Sequence, residues 1–89
     1  MLGEKLKSLR EAKGLVQRQI AAELQVDTAY ISKMENNEKP VSRGYLAKLA
    51  ILLGISEQEL LTLWLADKFY ELAKNEEVGL KAMQVAEHE

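Results

Sequence analysis

QRQIAAELQVDTAYISKMEN, residues 17–36, sets six of its apolar residues, Ile20, Ala21, Leu24, Val26, Ile31 and Met34, on two short stretches with a polar break between them. Ile20 and Leu24 stand i,i+4 apart, as one buried helical stripe requires, and Ala21 beside them is small enough to let another helix approach. Ile31 and Met34 stand i,i+3 apart on the second stretch, and Val26 falls in the connection. The spacing predicts one helix over Gln17–Leu24 and another over Thr28–Glu35, with Asp27 at the N-cap position of the second. Two helices of about two turns each, joined by three residues, cannot lie antiparallel along their length. They must cross steeply, as in a helix-turn-helix, and the six apolar residues then line the inside of the corner.

That geometry leaves Thr28, Ala29, Ser32 and Lys33 on the outer face of the second helix, with Tyr30 and Asn36 at its edge. A helix face that is merely solvated usually carries Glu/Lys pairs. This one offers hydroxyls, a methyl, a phenol and one cation. Thr and Ser can donate to or accept from base edges, and an Ala methyl can pack on a thymine methyl. Gln17, at the start of the first of the two helices, can join backbone N–H groups in holding a phosphate. Taken singly, each residue has a plainer role: Lys33 a solvated charge, Tyr30 an edge-packing aromatic, Asp27 a cap. Ile20, Leu24, Ile31 and Met34 are core under any reading. Only the joint spacing points to DNA.

Working outward, the pattern stays helical. Glu4–Lys13 carries Leu6 and Leu9 on one face and meets Gly14, a natural helix stop. Residues 36–40, Asn-Asn-Glu-Lys-Pro, form a polar loop closed by the only Pro. Ser42 is placed to cap a helix over Arg43–Leu53, with Leu46, Leu49, Ala50 and Leu53 facing inward and Gly54 ending it. Ser56-Glu57-Gln58-Glu59 reads as a capping box, opening a helix to about Lys74. Residues 76–87 read as a weaker sixth helix, with Val78, Ala82, Val85 and Ala86 on one side. Alternating Val/Ile/Thr runs and Asn-Gly hairpin turns are missing, so no strand is expected.

The chain of 89 residues suits one small domain, whose core is of a size that oligomerisation often supplements. It has no Cys and one His, His88, which leaves no thiolate or His-based metal site and no cofactor in view. With no Cys nucleophile, plausible His base or phosphate-binding loop, an enzyme is not expected. The longest apolar run, Leu49–Leu53, falls far short of the ~18–20 residues of a membrane span. A signal peptide is not apparent either, so a cytoplasmic protein is expected. The net charge of −2 hides an asymmetry. Residues 1–55 hold nine Lys/Arg and six Asp/Glu, whereas residues 56–89 hold three and eight. Such a split fits a basic working face and an acidic remainder, and fits ordinary solvated helix surface equally well.

The pattern Leu15-x-Gln17-x-x-Ile20-Ala21-x-x-Leu24-x-Val26-x-x-x-Tyr30-Ile31-Ser32-Lys33-Met34-Glu35-Asn36 resembles the lambda-repressor/Cro-like helix-turn-helix family. So does its frame, from Leu6-Lys7-Ser8-Leu9-Arg10 through Leu46-Ala47-Lys48-Leu49-Ala50 to Leu53-Gly54-Ile55. The resemblance covers roughly residues 3–65. It implies an all-α fold: a five-helix lambda-repressor-like helix-turn-helix domain, residues 1–66, with an additional C-terminal helix in an extension, residues 67–89. It also implies double-stranded operator DNA as partner, with the second motif helix in the major groove. On the matching positions, Gln17 contacts phosphate and Arg18 beside it joins the DNA-binding set. Thr28, Ala29 and Lys33 face bases, with Ser32 on the same side. Tyr30 and Asn36 reach the backbone, and the loop around Lys39 and Arg43 lies along a strand. The chain departs from the family at Val16, where Ser or Thr usually caps, and at Gln25 and Asn37, where Gly is frequent. A left-handed Gln25 would carry about 1–2 kcal/mol of strain, whereas Asn tolerates that conformation.

The helix after Ser56 carries more apolar surface than one partner can cover. Leu60, Leu61, Leu63, Trp64 and Leu65 fall on nearly all sides of its first half, and a stripe of Leu65, Phe69 and Leu72 continues beyond. Leu61, Trp64, Leu65, Phe69 and Leu72 are therefore the expected interface of a homodimer, the alternative being residues 76–87 folded back over the same surface. Small size, the lack of a small-molecule effector domain and the C-terminal helical extension resemble controller proteins of bacterial restriction–modification systems, which are dimeric autoregulators. Phage repressors and antitoxins have similar bodies. The expected function is a sequence-specific transcriptional regulator acting on a palindromic operator. The alternative is an antitoxin or adaptor that binds a protein partner through the C-terminal helices.

Overall fold

The computed structural model describes residues 1–88 and contains six α-helices. They are α1 (Leu2–Ala12), α2 (Gln17–Leu24), α3 (Thr28–Glu35), α4 (Leu46–Leu53), α5 (Glu57–Ala73) and α6 (Gly79–Glu87). A 3-10 turn over Arg43–Tyr45 leads into α4, and no strand occurs among the described residues. The all-helical expectation holds, and the bounds of α2 and α3 are as read from the sequence.

The first four helices end in one way. Gly14, Gln25, Asn37 and Gly54 all take left-handed conformations, with φ of 69°, 58°, 59° and 69°. In each case the next residue's N–H donates to the carbonyl five residues back: Leu15 to Arg10, Val26 to Ala21, Glu38 to Lys33 and Ile55 to Ala50, at 2.8–3.1 Å. This termination satisfies carbonyls left over at a helix end and turns the chain sharply. The turns fold α1–α4 back over one core: Leu2 and Leu6; Ile20, Ala21 and Leu24; Ile31 and Met34; Val41; Leu46, Leu49, Ala50 and Leu53; and Leu60 from α5. Five of the six apolar residues of the opening stretch are buried, and Val26 is packed against them.

Helix starts differ from expectation. Asp27 and Ser42 sit at N-cap positions, but neither side chain accepts a cap hydrogen bond. Ser42 precedes a 3-10 turn rather than an α-helix, so α4 opens three residues later than expected. At Ser56 only half of the box forms: Oγ accepts from the Glu59 N–H at 3.1 Å. The other half of such a box occurs where none was foreseen. Gln19 Oε1 accepts from the Val16 N–H at 2.8 Å, which secures the start of α2 despite the missing Ser or Thr.

Helix α1 begins two residues earlier than expected because Gly3 brings it against the end of α3. A Cβ on Gly3 would lie 2.6 Å from the Met34 carbonyl oxygen and 2.8 Å from that of Glu35. The Gly3 N–H donates to Asn37 Oδ1 at 3.2 Å, and Asn37 Nδ2 donates to Glu4 Oε1. Asn37 thus has two uses: a tolerated left-handed backbone and a side chain that clasps α1.

Helix α5 leaves the domain along its length. Leu60 is buried, and Leu61, Leu63 and Trp64 are partly buried against the core. Beyond them Leu65, Phe69 and Leu72 are exposed, Phe69 by 55% and Leu72 by 78%. Helix α6 starts close to the end of α5, where a Cβ on Gly79 would lie 2.5 Å from the Ala73 carbonyl oxygen. Its own Leu80, Met83 and Val85 remain exposed, and it does not fold back over Phe69 and Leu72. The molecule measures 42 × 23 × 21 Å.

Gln25→Gly tests the strain at the α2–α3 turn. Removing the left-handed penalty while keeping the hydrogen bonds should stabilise the domain by about 1 kcal/mol, raising Tm by roughly 4–8 °C. Thermal unfolding followed by circular dichroism measures it, and an unchanged or lower Tm would show that the turn is not strained.

Candidate nucleic-acid interface

The exposed face of α3 is placed by a carboxylate on the opposite face. Glu35 ends α3 and is 5% exposed. Its Oε2 accepts from Arg10 Nε at 2.7 Å, and its Oε1 accepts from Arg10 Nη2 at 3.1 Å and from Gln17 Nε2 at 3.0 Å. Arg10 Nη1 donates to the Leu15 carbonyl at 2.7 Å. One buried ion pair, Arg10 with Glu35, therefore joins α1, the turn after it, the start of α2 and the end of α3. Paired forks of this kind specify geometry as well as energy. Hydrogen bonding to Glu35 raises the Arg10 pKa against the opposing effect of burial, so the guanidinium stays charged.

With α3 held there, Thr28, Ala29, Lys33 and Asn36 are exposed, and Tyr30 and Ser32 are half-buried. Positions 28, 29, 32, 33 and 36 fall on one side of a helix with 3.6 residues per turn. Gln17 is half-buried by its bond to Glu35, and Arg18 next to it is exposed. Tyr30 is turned along the protein surface: its OH donates to the Pro40 carbonyl at 3.4 Å, and its ring meets Tyr45 edge-on at 6.1 Å.

The loop after α3 is ordered by contacts from three helices. Asn37 is clasped by α1, the Glu38 and Lys39 N–H groups donate to the Lys33 carbonyl, and Tyr30 reaches Pro40. The fourth contact comes from α5, where Trp64 Nε1 donates to the Val41 carbonyl at 2.6 Å. Lys39 and Arg43 project from this loop and its end, both exposed. Thus Trp64, grouped with the dimer residues on sequence grounds, makes its polar contact within its own chain. The expected interface set is divided by burial: Leu61 and Trp64 are half-buried, and Leu65, Phe69 and Leu72 are open.

Sequence reasoning passed over Arg10 and Glu35 as a pair. The signal was present. Arg10 follows Leu6 by four residues and Glu35 follows Ile31 by four, which puts one charge on each inward stripe. Charges there require partners.

Two short helices crossing at a tight turn, with the outer face of the second free and its ends held, match a known family over most of the chain. The description "Helix-turn-helix domain" fits residues 1–63. The chain belongs to the helix-turn-helix family. A Mycoplasma protein named Control protein C.MunI is 42% identical over 59 residues, covering 65% of this chain and 80% of that protein. The propionyl-CoA carboxylase regulator of Cereibacter sphaeroides is 38% identical over 60 residues, or 67% of this chain. This chain spans only 13% of that regulator's length. No solved structure gives a significant match. Within the matched residues, α2 and α3 are the two short helices joined by the tight turn. The family match stops at residue 63, before Leu65, Phe69 and Leu72.

Glu35→Ala removes the acid and leaves Arg10, a residue only 9% exposed, without its carboxylate partner. Breaking a buried pair in this way should destabilise the domain by about 3–5 kcal/mol, measured by urea unfolding. A loss within 1 kcal/mol would show that water replaces Glu35 at little cost.

Proposed function

We propose that the chain is a transcriptional regulator that binds a palindromic operator as a homodimer, with sequence read by α3. The observation that carries this reading is the α3 face itself. It is exposed, nearly uncharged and rich in hydrogen-bonding groups, on a helix whose other side is locked by Glu35. In this reading Thr28, Ala29 and Lys33 meet base edges, with Ser32 beside them. Gln17, Arg18, Tyr30, Asn36, Lys39 and Arg43 meet the sugar-phosphate backbone.

The division of labour is residues 1–66 for DNA and residues 67–89 for association, joined by the continuous α5. Exposed Leu65, Phe69 and Leu72, flanked by half-buried Leu61, favour a second copy of the chain as the covering partner, with Trp64 turned to its own chain. A two-fold dimer would present two α3 helices about 34–36 Å apart, one turn of duplex. The acidic charge of the second part keeps this end away from DNA. Similarity to Control protein C.MunI supports a narrower reading, an autoregulatory controller of a restriction–modification system. The same exposed stripe also fits an antitoxin or adaptor role, and a stoichiometric protein partner on purification would favour that.

Selection of bound sites from a random duplex pool tests the main reading. Enrichment of a palindrome with half-sites one turn apart is expected; no enrichment by folded protein would count against DNA binding. Thr28→Ala or Lys33→Ala should then weaken binding to the selected site by about 1–3 kcal/mol with Tm unchanged, whereas Ile31→Ala should unfold the domain or cost about 2–5 kcal/mol. A large drop in Tm for either surface variant would show that the face is wrongly placed.

Sedimentation at micromolar concentration should find a dimer. Phe69→Glu should shift it to monomer, because a charge would have to be buried without a partner. A monomeric wild-type chain, or an unaffected variant, would remove α5 from the interface.

A further inference from the structure

Two consecutive carbonyls of the loop after α3 are held by aromatic side chains from different helices. Tyr30 of α3 takes Pro40, and Trp64 of α5 takes Val41. The indole bond is the shorter, 2.6 Å against 3.4 Å. Val41 is buried, so its carbonyl has a fixed address in the core and not a solvated one. The same indole carries cations. Arg43 Cζ lies 5.8 Å from the ring centroid and Lys68 Nζ lies 5.0 Å from it. A flat aromatic face attracts a guanidinium and limits the conformations of a side chain that is otherwise free in solvent. Trp64 is the only Trp of the chain, and no other side chain touches both Val41 and Arg43 in this way among the described contacts.

We infer that Trp64 is a positioning residue for DNA-backbone contact: it holds Val41 and seats Arg43, setting residues 36–43 and their cations against a strand. This assignment rests on the DNA-binding reading above and gives Trp64 a task other than dimer contact. The physical reason is preorganisation. A loop that is already ordered loses less freedom on binding than a mobile one, so its phosphate contacts yield more affinity. It also joins the two ends of the molecule, because the helix proposed for association carries the side chain that sets the DNA loop.

The test uses the full chain and the duplex recovered by site selection, with affinity measured across a series of salt concentrations and self-association by sedimentation. Trp64→Phe keeps a ring for Arg43 and loses the N–H to Val41. It should bind DNA about fivefold more weakly, with self-association as in the wild type. Trp64→Leu loses both functions. Its log–log salt slope should be shallower than wild type by about 0.9, as in Arg43→Ala, because one phosphate contact is lost. In the Arg43→Ala background, Trp64→Leu should cost clearly less than it does alone, since the two act through one contact. A purely structural Trp64 would lower the folded fraction without moving the slope. Wild-type affinity in Trp64→Phe together with a wild-type slope in Trp64→Leu would overturn the inference. So would a loss of self-association that parallels the loss of DNA affinity. If Trp64→Leu does not fold, wild-type affinity in Trp64→Phe alone overturns it. If the wild-type chain binds no duplex, the DNA-binding reading fails and this assignment falls with it. If the wild type binds and the variants match it, only the assignment fails.

Discussion

Placement of the α3 face depends on the Glu35 carboxylate. Among the described residues it is the one group bonded at once to α1, through Arg10, and to the start of α2, through Gln17. Hydrophobic contact alone is non-directional and would allow short helices to slide or rotate over one another. A carboxylate that accepts three N–H groups at 2.7–3.1 Å does not. The cost is the desolvation of two charges, which a well-formed fork offsets only if every group finds a partner. No buried side-chain polar atom among the described residues lacks one. The gain lies in specificity of arrangement more than in stability: the helix offered outward is fixed by a bond on its inward side.

Helix endings supply the second constraint. Each of α1 to α4 stops at a left-handed residue, so the chain reverses sharply without long loops. Two of these positions are Gly and two are not. Asn37 pays little for the conformation and gains the clasp to α1. Gln25 has no such compensation, and its side chain makes no hydrogen bond among the described contacts, so its choice has no structural account. The loop that follows Asn37 is held in turn by Tyr30 and Trp64. The two halves of the proposed contact surface, helix and loop, are thereby ordered by different parts of the fold.

The molecule is polarised. The basic residues 1–55, with Leu60, Leu61, Leu63 and Trp64 of α5 packed on them, form the helix-turn-helix body, and the rest of the acidic part carries the end of α5 and α6 away from it with apolar side chains uncovered. Single exposed apolar residues are ordinary, but a contiguous series along a helix is a surface awaiting a partner. The basic excess and this apolar series thus lie at different ends, and this separates association from DNA contact in the proposed function. Trp64 stands where the two ends meet.

Much of this was legible in the residues. Periodicity placed α2 and α3, because Ile20, Leu24, Ile31 and Met34 obey a local rule of helix geometry that needs no knowledge of neighbours. Gly14 and Gly54 marked ends for the same reason, and the outward row from Thr28 to Asn36 followed once the inward row was known. What depends on residues far apart in the chain was not legible. Gly3 against Met34, Arg10 with Glu35 and Trp64 with Val41 are separated by 23 to 31 residues, and their partners are chosen by how the helices meet. Trp64 shows the difference most clearly. Sequence pattern could say that it lay on a helix with too much apolar surface. Only the packed structure shows its N–H directed at a carbonyl of the loop, because the direction of a side chain toward a distant partner is set by tertiary geometry and not by helical period.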